Sequence, residues 1–206
     1  FSAFSTHSIY ETRFILNRNN FLTRAANKQP SVTVLDTFAR GSAQNNTENT
    51  GSNYEFGNLY SRLGERLTLK AGIDGMYRQE RSRSEDNFAG AFTFSSMDAY
   101  LSGQPATYRV TRGDPLLETR QLELSFLLQN DVKLTPRFTL MLGARYDVQT
   151  NLSDHNNLGP RTAIAYAISR GAVIRAGAGI FYRRLDRNDF ETVLRLDGKH
   201  QYEIVI

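Results

Sequence analysis

His7, His155 and His200 are the side chains best suited to hold a metal or move a proton near neutral pH. They lie far apart without metal-ligand spacing, and neither a His-Glu-x-x-His nor a Gly-x-Ser-x-Gly run is present. Cysteine is absent, so there is neither a disulfide framework nor a thiolate site. Gly177-Ala178-Gly179 has the outline of a phosphate-cradling loop, but a third glycine is missing. It also sits in an alternating strand, where small residues serve close packing. Asp154-His155-Asn156-Asn157 could offer oxygen ligands to calcium, yet a loop so rich in turn formers needs no ion. The expectation is a protein that is not an enzyme, with no cofactor and no resident metal.

The elements that must position any other chemistry are strands. At 206 residues the chain is long enough to bury a core. Only 40% of it is apolar, Trp is absent, and the mean hydropathy is −0.46. No run approaches the roughly 18 consecutive apolar residues of a membrane-spanning helix. That excludes a helical membrane protein but not a membrane β-barrel, whose strands carry only alternate residues to lipid. The 25 basic and 21 acidic residues give +4, scattered without a basic tract, so nucleic acid is not an expected partner. The sequence starts at Phe1 with no charged leader and apolar stretch, which fits a piece of a longer chain.

Alternation of period two recurs. In RFTLMLGARYDVQT, Phe138, Leu140, Leu142, Ala144, Tyr146 and Val148 share one parity; Thr139, Met141, Gly143, Arg145, Asp147 and Gln149 share the other. TRQLELSFLLQNDVKL sets Leu122, Leu124, Phe126 and Leu128 against Gln121, Glu123, Ser125, Leu127, Gln129 and Asp131. RLTLKAGIDGMYRQE, RTAIAYAIS and AVIRAGAGIFYRR repeat the pattern, the last setting Ile174 and Ile180 against Arg175 and Arg183. HSIYETRFIL, SVTVLDTFAR and NYEFGNLYSRL also read as strands, with faces that the pattern does not assign.

The connections carry more information. Three are very short, around Gly64-Glu65, Thr135-Pro136 and Arg170-Gly171, with residues suited to tight turns. Between them lie long polar links at 41–52, about 82–117, and 151–160. In an antiparallel meander this puts the short turns at one end and the long loops at the other. Outer-membrane barrels have that asymmetry, with short periplasmic turns, long extracellular loops, and strands of about 9 to 11 tilted residues. A soluble barrel needs no such difference between its ends.

A lipid-facing Arg or Lys at mid-membrane costs roughly 2–4 kcal/mol, so the charged parity must face water. The lumen-facing candidates are Glu123, Asp131, Arg145, Asp147, Arg175 and Arg183, with Lys70 and Asp74 sharing a parity likewise. The lipid-facing candidates are Leu124, Phe126, Leu140, Leu142, Ile164 and Ile180. The charged residues could touch a plug or a substrate, or simply pair across strands. Phe138, Tyr146, Tyr166 and Tyr182 could join interfacial girdles or be ordinary barrel aromatics. FTFSSMDAYLSGQPATY, in the longest link, could capture an external ligand or merely pack over the barrel mouth.

The run LQNDVKLTPRFTLMLGARYDVQTNLSDHNNLGPRTAIAYAI resembles the late barrel of TonB-dependent outer-membrane receptors. It carries Gln129-Asn130-Asp131, Pro136, Leu140, Gly143-Ala144-Arg145-Tyr146, and Pro160-Arg161 leading to Ala165-Tyr166. VIRAGAGIFYRRL and ERLTLKAGIDGMYRQERS are similar to neighbouring strands, and the subtype is that with an N-terminal carboxypeptidase-regulatory-like domain. The resemblance covers most of 53–190; each motif is loose, and their order and spacing make it specific. It implies a barrel of about 22 strands closed by a plug. It also implies uptake of a scarce small-molecule nutrient, powered by the TonB complex. The chain departs from the full pattern: it shows no plug, no TonB-contacting segment and no regulatory domain, and it ends in EIVI rather than an aromatic residue.

The resulting expectation is all-β: an antiparallel up-and-down transmembrane β-barrel segment of about eight strands, with short periplasmic turns and long extracellular loops. Residues 1–206 form one partial barrel domain in the cell outer membrane. Its expected partners are membrane lipid, the TonB complex through a plug outside this chain, and a small molecule of unknown identity. The alternatives are a non-transporting surface barrel for adhesion or assembly, and a soluble ligand-binding β-barrel.

Overall fold

The computed structural model describes residues 2–5, 7–42 and 44–206. Phe1, where the sequence starts, and Ala43, inside the link at 41–52, lie outside the described residues, as does Thr6. In chain order the strands are β1 (Ser2–Ser5), β2 (Ser8–Thr23), β3 (Ser31–Val34), β4 (Phe38–Arg40), β5 (Thr47–Leu63), β6 (Leu67–Ser84) and β7 (Ala91–Phe94). Helix α1 (Met97–Leu101) leads to β8 (Thr107–Gly113), β9 (Leu116–Thr135), β10 (Phe138–Gln149), β11 (Leu158–Ser169) and β12 (Ala172–Gly179). Helix α2 (Arg187–Arg195) and β13 (Gln201–Val205) follow.

Eight strands form one open sheet in the order β1-β2-β5-β6-β9-β10-β11-β12, and the other five form a second, β13-β8-β7-β3-β4. The architecture is all-β and mostly antiparallel, and neither sheet closes on itself. Seven of the eight stretches read as strands lie in the first sheet, together with β1, which the pattern did not count. The eighth, SVTVLDTFAR, is β3 and β4 of the second sheet, whose β7, β8 and β13 the pattern also missed, so the strands outnumber the eight expected. Its β3–β7 pair is parallel, a departure from a pure up-and-down meander.

Strands also invade the long polar links. β5 starts at Thr47, β6 runs on to Ser84, β9 starts at Leu116 and β11 at Leu158. Polar pairs sustain these extensions where apolar alternation fades: Ser82 donates to Asn49 Oδ1 at 2.7 Å, and Thr50 to Asn20 Oδ1 at 3.5 Å.

The chain divides into two compact units. The first comprises Phe1–Asn17, Asn53–Arg78 and Arg120–Arg184. It holds the short links at 64–66, 136–137 and 170–171; Gly64 N donates to Leu67 O at 2.8 Å to close the first. Register fixes the faces. Phe126 stands opposite Tyr146 and Leu128 opposite Ala144, while Ser125 faces Asp147 and Leu127 faces Arg145. β11 continues the apolar side with Ile164 opposite Leu140 and Tyr166 opposite Phe138, and β12 adds Ile174 opposite Tyr166. Residues directly opposite share a face of the pleat, so the alternation read in each strand becomes a two-sided sheet.

β12 stops at Gly179, short of the alternation that reaches Arg183 in the sequence. Ile180 N still donates to Pro160 O at 3.0 Å, but proline has no N–H to return the bond, so the ladder ends there. Ile180 and Arg183 therefore lie beyond the strand.

The second unit comprises Arg18–Ser52, Gln79–Thr119 and Leu185–Ile206. Its interior contains Val34, Phe94, Val110 and Leu117. The Tyr100 ring meets Phe38 and Phe94 edge-on at 5.4 and 5.2 Å, with the Arg40 guanidinium 5.3 Å above it. Ser96 caps α1 by accepting from Ala99 N at 3.2 Å, and Asp186 caps α2 by accepting from Asn188 N at 2.8 Å. Arg195, in the last turn of α2, donates to Pro115 O, Ser82 Oγ and Glu191 Oε1 at 2.7–2.9 Å.

Candidate functional site

A charged cluster occupies the polar face of the first unit. β9 supplies Glu123 and Ser125, and β10 supplies Arg145 and Asp147 on the same side because Ser125 is opposite Asp147. Arg145 Nε donates to both Asp147 oxygens at 3.1 Å, and its Nη2 to Ser125 Oγ at 2.8 Å. The Ser125 hydroxyl in turn bonds the Asp147 carboxylate. Arg184, from the irregular segment after β12, donates to Glu123 Oε2 at 2.7 Å and Asp147 Oδ1 at 3.1 Å, and also contacts Ser125. Two guanidinium groups thus meet two carboxylates through charge-assisted bonds.

A second pair lies in the same unit, with Arg13 Nη2 3.7 Å from Asp74 Oδ1. Gly57 makes room for it: a Cβ there would sit 2.8 Å from Asp74 Oδ1. A cavity of about 290 Å³ is lined by Arg13, Glu55, Asp74, Met76, Glu123, Arg145 and Arg184. Such a space can orient charged or strongly polar groups.

Of the lumen-facing candidates, the structure brings together Glu123, Arg145 and Asp147. Asp131 lies further along β9, accepting from Gln129 Nε2 at 3.0 Å and standing opposite Met141. Arg175 is exposed on β12 opposite Ala165, and Arg183 is exposed beyond the strand. Neither joins the cluster. Arg184 is the member that the sequence reading missed, because alternation carried through Pro160's partner pointed to Arg183 instead. The Arg183-Arg184 doublet was the available signal. In the Asp154-His155-Asn156-Asn157 loop, Asp154 Oδ1 accepts from Asn156 N at 2.9 Å, a local turn bond.

The opposite face carries the apolar candidates. Leu124 and Leu140 are half-buried; Phe126, Leu142, Ile164 and Ile180 are 38–52% exposed. Glu123 is 5% exposed and Ser125 1%. Among the described residues, every buried large apolar side chain belongs to the second unit, while the buried side chains of the first are Ser61, Gln121, Glu123, Ser125 and Gln149. A domain folded in water buries apolar side chains and solvates charges. The first unit does the reverse, which fits an apolar surface against lipid and a polar, hydrogen-bonded side away from it.

The family model described as an outer membrane beta barrel domain matches residues 3–157, about three quarters of the chain. No curated protein and no solved structure matches significantly. The inverted polarity of the first unit and the long antiparallel strands agree with that match, and the chain belongs to the outer membrane beta barrel domain family, with its place in the outer membrane.

Proposed function

We propose that the chain is barrel wall of a TonB-dependent receptor that takes up a scarce nutrient across the outer membrane. The observation that carries the reading is the paired polar cluster Glu123–Ser125–Asp147 with Arg145 and Arg184, on the face opposite the exposed apolar side chains. A wet lumen that passes polar cargo accommodates paired charges of this kind, whereas a soluble barrel around an apolar ligand turns apolar side chains inward. The ordered motifs from Gln129 to Tyr166 give further support, as does the alternation of short and long links, here read as periplasmic and extracellular. In this reading the chain has no catalytic role and takes no cofactor, nucleic acid is not a partner, lipid covers the apolar face, and energy arrives from the TonB complex through a plug outside residues 1–206.

The test uses cells with and without the full-length gene. Depletion of individual nutrients from a defined medium is measured with and without a protonophore. Depletion that requires both the gene and the proton gradient is expected. Gene-dependent attachment or surface assembly with no energy-dependent depletion would assign the non-transporting surface barrel, a role favoured by the separate core of the second unit.

A further inference from the structure

The second unit contains a groove with unspent charge. A cavity of about 260 Å³ is lined by the end of β2 with the residues after it, the start of β5 and the end of β6. A further cavity of about 180 Å³ shares Lys28, Asn46 and Glu85 with it, so the two adjoin. Ala25 N donates to Asn46 Oδ1 at 2.9 Å and Glu85 N to Asn46 O at 2.9 Å, fastening the walls to one another.

Five charged side chains line the larger cavity. Arg83 and Glu85 neutralise each other, with Arg83 Nε donating to Glu85 Oε1 at 3.0 Å. The remaining three, Arg24, Lys28 and Glu48, have no ion-pair or hydrogen-bond partner for their charged groups among the described residues. The adjoining smaller cavity is bordered by Gln44, which holds left-handed backbone at φ 52°, and by Phe88, whose neighbour Asn87 does the same at 58°. That conformation costs energy in residues other than glycine. Gln44 Oε1 accepts from Ala89 N at 2.8 Å and its amide donates to Gly90 O, which locks the strained turn in place.

We infer that this groove binds a small zwitterion, an amino acid or short peptide, whose carboxylate meets Arg24 and Lys28 and whose ammonium meets Glu48. That assignment gives each unpaired charge a partner, which a simple anion or a neutral sugar does not. It rests on the reading that the long links face the external medium, and it names the class of cargo met there. The three side chains are exposed, so their charges are screened by water and salt, and binding weakens as ionic strength rises.

The test titrates the purified full-length protein in detergent with three probes: L-alanyl-L-alanine, its N-acetyl derivative and its C-terminal amide. The free dipeptide binds tightest, each blocked form losing about fivefold or more. Arg24→Gln with Lys28→Gln removes the advantage over the amide, and Glu48→Gln removes the advantage over the N-acetyl form. Equal affinity for all three probes, or no saturable binding, overturns the assignment. Because binding is measured without uptake, a groove that binds in a protein that does not transport would leave this inference standing and remove the transport reading alone.

Discussion

Arg184 and Glu123 meet in a 2.7 Å charge-assisted hydrogen bond across 61 positions of sequence, joining the irregular segment after β12 to the middle of the sheet. Glu123 is almost fully enclosed, while Arg184 retains about a third of its exposure. Removing the guanidinium leaves a buried carboxylate short of a partner, at a cost on the order of 1–3 kcal/mol once the partial solvation of Arg184 is allowed for. Arg184→Ala is therefore expected to lower the thermal midpoint of the full-length protein in detergent. Arg184→Lys should recover part of the loss, since a lysine cannot reproduce the two-armed contact to Glu123 and Asp147. If Arg184→Ala and Glu123→Ala gave fully additive losses, the pair would have no coupling of its own.

The same strand pair sets up an opposite test of faces. Leu142 is 49% exposed on the apolar side, and Arg145 is bonded to Asp147 and Ser125 on the other. In the full-length protein, Leu142→Arg should impair assembly into lipid vesicles, at roughly 2–4 kcal/mol for a charge placed against hydrocarbon. Arg145→Leu removes one member of a hydrogen-bonded group and should cost less, about 1–2 kcal/mol. Equal impairment, or the reverse order, contradicts the facing assigned here.

Why Arg145 was legible and Arg184 was not follows from the backbone. Alternation in β10 runs unbroken from Phe138 to Gln149, so Arg145 and Asp147 fall on the polar side by counting alone. Counting fails after Gly179, where the missing N–H of Pro160 ends the pairing and the chain turns free of the pleat. The second sheet was mostly hidden for another reason. SVTVLDTFAR reads as one strand and folds as two, β3 and β4, while β7 and β13 have only four and five residues, too few to show a period, and long-range pairs such as β13 with β8 leave no local mark. The Arg24, Lys28 and Glu48 groove is a product of such folding, since it joins the polar links at 41–52 and about 82–117 to residues 22–28, which no alternation marked.

Phe56 lies over Gly75, where a Cβ would stand 2.0 Å from its Cε1 atom. The ring covers backbone that the glycine leaves bare, a cross-strand device known to stabilise strand glycines. Gly75→Val should destabilise by about 1–3 kcal/mol through overpacking. Pairing it with Phe56→Ala should restore much of the loss, because the valine then takes the vacated space. Denaturation in detergent of the two single variants and the double variant decides it; a double variant as unstable as the sum of the singles would show that the ring and the glycine do not share one space.

Asp197 supplies a test in pH. Its carboxylate accepts backbone N–H bonds from His200 at 2.9 Å and Lys199 at 2.7 Å, and Oδ2 lies 3.0 Å from His200 Nδ1. The His200 backbone bond, followed by that of Lys199 and the His200 side chain, lowers the carboxyl to about 2. The ordinary value is 3.8. Between the two, the unfolded turn binds more protons than the folded one. The turn's stabilisation is thus complete above about pH 4 and is lost as pH falls through about 2. Carboxyl carbon NMR of the full-length protein, assigned by the signal that Asp197→Asn removes, should show a midpoint near 2. A midpoint at the ordinary 3.8 would mean that these backbone bonds do not hold in solution, and with them the turn that leads Gln201 into β13.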